Sequence, residues 1–163
     1  MSILLSILPC HIFLTLKTIA MNTQKFIVSG IVGGIVSFFG GYLIYGKLMM
    51  GYFNDHPGTV ANVMRSDSEL VWWALIGGSV FMGLLLSYIF NRWANITSLG
   101  AGLMGGLVIG FLMNTGQDLL IYGDSHISSL HSLVGDIICG TVLSGLTGAA
   151  VGWMNGMGKK TAA

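Results

Sequence analysis

Four stretches of this chain are long and apolar, and Asp118 and Asp136 are the only charged residues inside them. They cover residues 26 to 46, 70 to 90, 98 to 120 and 133 to 154. A helix needs about 20 mostly apolar residues to cross a bilayer, and each stretch is long enough. None alternates with a period of two, which disfavours a β-barrel. A helix also satisfies its own backbone hydrogen bonds in lipid. Composition agrees: 53% of residues are hydrophobic and 8% are charged, against about 25% charged in soluble domains. The expected fold is an all-α integral membrane four-helix bundle.

Charge gives the expected direction of insertion. In a four-span arrangement Lys25, Arg92, Lys159 and Lys160 share one side. Asp55, Asp67, Glu69, Asp118 and Asp124 share the other, with Lys47 and Arg65. Positive residues stay cytoplasmic. Both termini are therefore expected inside a bacterial inner membrane, with the longer loops outside. Tyr45, Tyr52, Trp72, Trp73 and Tyr122 are expected as anchors at the outer interface. Residues 1 to 20 are short for a span, contain Pro9 and lack the basic start of a signal peptide. Synthesis is expected to begin at Met21, which leaves 21 to 158 as the membrane domain and 159 to 163 as a cytoplasmic tail. Cys10 and Cys139 give no disulfide framework. A net charge of +1 gives no reason to expect a nucleic-acid partner.

Small residues recur at every fourth position within the spans. The last has Gly140, Ser144, Gly148, Gly152 and Gly156; the third has Gly102, Gly106 and Gly110. The first has Ser29, Gly33, Ser37 and Gly41 beside Gly30 and Gly34, and the second has Ser79, Gly83 and Ser87. In lipid, helices associate through close backbone approach, which small residues permit. Tight packing within the chain is the plain reading. A homo-oligomer interface, or one with another membrane protein, is compatible with it.

Two of these rows lead to carboxylates. Gly102, Gly106 and Gly110 continue to Asn114 and Asp118, while Gly148, Ser144 and Gly140 continue to Asp136. Lys47 follows the first span and His131 precedes the last. A polar cluster of Lys47, Asn114, Gln117, Asp118, His131 and Asp136 is expected in the outer third of the bundle. Ionisable groups at membrane depth tend to face a bundle interior or a wet cavity. Asp136 is the best candidate for a protonatable or cation-binding group. The alternative is an interfacial aspartate favoured by a helix N-terminus. His126, His131 and Asp124 form no metal signature. No catalytic motif, cofactor motif or metal site is legible.

An internal repeat is also suggested. "GIVGGIV" at 30 to 36 resembles "GLMGGLV" at 102 to 108, and each is followed by "LIYG". "LIGGSVFMGL" at 75 to 84 resembles "IICGTVLSGL" at 137 to 146. Spans one and two would then correspond to spans three and four as a parallel duplication.

"GGYLIYGKLMMGYF" and "GDIICGTVLSGLTGAAVGW", with the apolar third span between them, resemble a family of small bacterial four-helix membrane proteins known only as a domain of unknown function. The resemblance covers about residues 26 to 155 and implies no activity. The expected role is that of a structural or accessory membrane protein, not an enzyme, that self-associates or binds a membrane partner. The alternative is a small transporter or channel component with an outer carboxylate site.

Overall fold

The computed structural model describes residues 22–59, 65 and 67–157. The segment 1–20 and the tail 159–163 lie outside the described residues. Helix α1, Thr23–Leu43, begins at Asn22, whose side chain accepts the Lys25 backbone N–H at 3.1 Å. That bond satisfies one donor that a helix start otherwise leaves without a partner. The chain continues through a π-helical turn, Ile44–Leu48, into the short α2, Met50–Asp55. A 3₁₀ turn, Asp67–Glu69, precedes α3, Trp72–Ile89. A second π-helical turn, Phe90–Ala94, ends at Asn95, which takes a left-handed φ of 47°. Asparagine tolerates that region better than most residues. Helix α4, Leu99–Asp124, is capped by Ser98, and α5, Leu130–Gly156, by Ser129.

Among the described residues four helices are long and apolar enough to cross a membrane: Thr23–Leu48, Trp72–Ala94, Leu99–Asp124 and Leu130–Gly156. By length and composition the chain is an all-helical, multi-pass membrane protein. Among the described residues there is no strand, only a single antiparallel pairing of Pro57 with Ser128. That pairing joins the loop after α2 to the loop before α5, where Thr59 N–H also donates to the His126 carbonyl at 3.0 Å. We call this the long-loop end. The opposite, terminal end holds the start of α1, the α3–α4 turn and the close of α5.

The bundle is two helix pairs, α1 with α3 and α4 with α5, joined mainly through α1 and α5. The most buried of the spanning helices is α5. Within each pair the backbones nearly touch. A β-carbon on Gly148 would strike the Gly102 carbonyl oxygen, and one on Gly83 would strike that of Gly30. Such approaches are open only to glycine, because any side chain would force the backbones apart. Gly33 faces Val151 and the Gly83 backbone, and Gly152 faces the Ser98 carbonyl. Gly41 differs: its nearest neighbour is a Leu143 methyl at an ordinary 3.6 Å. Large apolar side chains such as Phe39, Phe81, Leu112 and Leu120 point outward, as a lipid-facing surface requires.

Candidate functional site

The two rows of small residues on α4 and α5 meet antiparallel. Gly102 lies against Gly148, Gly106 against Ser144, and Asn114 against Gly140. One turn further along each helix, toward the long-loop end, Asp118 lies beside Asp136 with the carboxyl groups within hydrogen-bonding reach. Tyr45 closes the group from α1's side: its hydroxyl donates to Asp136 Oδ1 at 2.6 Å. The Tyr45 ring is stacked on Phe53 of α2, with centroids 5.8 Å apart. Asp118 Oδ2 and the nearby Thr115 Oγ1 are buried without a protein partner. Among the described residues no basic side chain pairs with either carboxylate. No group of three or more His, Cys, Asp or Glu side chains converges among the described residues.

On the bundle side of the pair is a cavity of about 110 Å³ between α1, α3, α4 and α5. Its polar lining comes from Ser37, Tyr45, Asn114, Ser144 and Thr147, and its apolar lining includes Met82, Leu86 and Leu143. Asn114 donates to the Gly110 carbonyl at 2.6 Å, and Thr147 to the Leu143 carbonyl at 2.8 Å. Ser37 and Ser144 are 8% and 6% exposed and make no hydrogen bond within the described protein. Toward the terminal end Leu86, Val151 and Phe90 form the buried apolar core.

Beyond that core lies a second polar group that the sequence reading missed. Ser29 and Ser87 hydroxyls are 2.7 Å apart. The Asn91 amide donates to the Ser87 carbonyl at 2.8 Å and to Asn155 Oδ1 at 3.0 Å. Asn155 in turn donates to the Ile96 carbonyl at 3.3 Å. Unlike the Ser37 and Ser144 hydroxyls, these groups satisfy one another, as buried polar groups generally do. The available signal was spacing: Asn91 is one turn after Ser87, and Asn155 one turn after Val151.

Of the six residues expected to cluster, Asn114, Asp118 and Asp136 come together. Lys47 lies elsewhere, exposed, with its ammonium 5.6 Å from the Tyr42 ring centroid. Gln117 is exposed on α4. His131 is also exposed, its ring 5.2 Å from that of His56, and its carbonyl accepts the Tyr52 hydroxyl at 2.8 Å. Tyr45, expected as an interface anchor, instead turns inward to Asp136. The displacements of Lys47 and Tyr45 fall in the π-helical turn Ile44–Leu48, whose wider winding shifts every side chain off the α-helical face pattern. No family model, curated protein or solved structure matches the chain.

Proposed function

We propose that this protein binds a small cation at the Asp118–Asp136 pair and serves as a small transporter or channel component. The observation that carries this reading is the juxtaposition of two carboxyl groups on spanning helices with no basic partner. Two like charges that close repel unless a proton or a metal cation lies with them. Ionisable groups in spans characteristically mark ion or proton paths. In this reading the long-loop end faces outward from a bacterial inner membrane, the termini are cytoplasmic, and the protein is not an enzyme.

A carbodiimide that modifies carboxyl groups in apolar surroundings tests the site. The full chain in native-like membranes should be labelled at Asp118 or Asp136, located by mass spectrometry, and a bound cation should slow the reaction. No labelling at either residue would contradict the reading.

A second reading is a structural or accessory protein that self-associates or binds a membrane partner. It is favoured by Gly77 and Gly78 on α3, which meet no other part of the chain and leave a notch between the exposed Trp73 and Phe81 where another helix could approach. Either role is compatible with descent from the family of small four-helix membrane proteins that the sequence resembles, and with an internal duplication. What supports the duplication is a shared contact. Gly83 sits over the Gly30 carbonyl and the Gly34 amide, and Gly148 over the Gly102 carbonyl and the Gly106 amide. Gly30 and Gly34 correspond to Gly102 and Gly106 in the matched sequences. The same match sets Gly83 against Gly145, so the second helices would have slid by about one turn.

A further inference from the structure

The cavity beside the carboxyl pair contains two hydroxyls that protein groups leave unanswered. Ser37 and Ser144 are more than nine-tenths buried, line the cavity and bond to no described residue. Neither hydroxyl is sealed off: each opens to the cavity, and a polar cavity large enough for water supplies the partner that the protein does not. The volume of about 110 Å³ accommodates roughly three to four waters at about 30 Å³ each. No carboxylate oxygen lines it, so a metal ion resting there would lack a neutralising charge. Among the described residues, Tyr45 is the one in the cavity wall whose side chain hydrogen-bonds the Asp136 carboxylate.

We propose that this cavity is a water-filled proton chamber and that the Tyr45 hydroxyl is the relay between it and Asp136. The proposal rests on the carboxyl pair being a cation site and names that cation as the proton. An excess proton on a chamber water passes to the Tyr45 oxygen while the Tyr45 proton passes to Asp136 Oδ1. One O–H bond forms at tyrosine as the other breaks. The water is left neutral, Tyr45 is unchanged, and Asp136 becomes a neutral acid. The titratable groups facing Asp136 are Asp118 from α4, Tyr45 from the π-helical turn, and Cys139 from α5. Leu86 closes the chamber toward the terminal end, backed by Val151 and Phe90. Beyond them the next polar groups are Ser87 and Asn155, each satisfied by protein. The apolar layer therefore acts as the barrier to through-flow.

Proton flux into proteoliposomes carrying the full chain, driven by a potassium diffusion potential and read by an internal pH dye, tests this. Leu86→Ala should raise the flux at least fivefold over wild type by letting water past the barrier. Adding Tyr45→Phe, which keeps the ring on Phe53, should remove that increase. If Leu86→Ala fails to fold, the smaller truncation Val151→Ala, with and without Tyr45→Phe, carries the same expectation. Flux at the empty-vesicle level in the opened variant would overturn the proposal, and so would an opened Tyr45→Phe variant as fast as its parent. Carbodiimide labelling without flux would leave the cation site standing and remove the relay. Absence of labelling would remove the site itself.

Discussion

The Asn114 side chain occupies the space that a β-carbon on Gly140 would need, its carboxamide lying 2.6 Å from that position. The contact belongs to a longer register in which α4 and α5 run antiparallel, small residue against small residue, until Asp118 meets Asp136. Position along the rows therefore decides what each substitution costs.

Gly148→Ala and Gly140→Ala differ in what they strike. The first drives a methyl into the Gly102 backbone carbonyl, which cannot move without separating α4 from α5. The second meets a side-chain end that can swing away. Overpacking of a rigid site costs about 1–3 kcal/mol. Gly148→Ala is expected at or above the top of that range, and Gly140→Ala at or below the bottom. Gly41→Ala should be nearly silent, because its neighbour lies at 3.6 Å. Thermal unfolding in detergent, compared across the three variants, checks the order.

Asn155→Leu should destabilise the protein. It removes the acceptor for one Asn91 N–H and places an apolar branch among groups that were satisfied. A buried donor left unpaired costs about 1–3 kcal/mol. Asn91→Ala in the same background should then cost less than it does in the wild type, because the bond to Asn155 is already gone and only the bonds to Ser87 remain to be lost. A double-mutant cycle of unfolding free energies measures the coupling.

Asp118→Asn should leave the fold intact or make it more stable. The amide removes one of two adjacent like charges and can donate to Asp136, answering part of the repulsion that the native pair carries. A loss of stability like that of Gly148→Ala would mean that the native carboxylate is held by something other than its neighbour. Melting temperature and insertion level of the variant decide between these outcomes.

The spans were legible because long apolar runs have few other uses. The path to Asp118 and Asp136 was legible because fourth-position spacing on facing helices keeps a row in contact. Tyr45 and Lys47 were not, since the π-helical turn that redirects them leaves no mark in an apolar, glycine-containing segment. Asn91 and Asn155 look like ordinary interfacial residues at span ends. Only the crossing of α3 and α5, which depends on side-chain fit among several helices, brings their amides together. Ser37 reads as one more small residue in a packing row. Its place in a cavity wall follows from where α1 lies relative to α4 and α5.

The meeting of Asp118 with Asp136 is measured most directly by cross-linking. With Cys10 and Cys139 replaced by serine, Asp118→Cys and Asp136→Cys are introduced together, and the protein is oxidised in its membrane. The account predicts rapid disulfide formation within one chain, and none when Asp118→Cys is paired instead with Ile138→Cys, whose parent side chain faces outward. Failure of the 118–136 pair to cross-link, or equal cross-linking by 118 and 138, would contradict it.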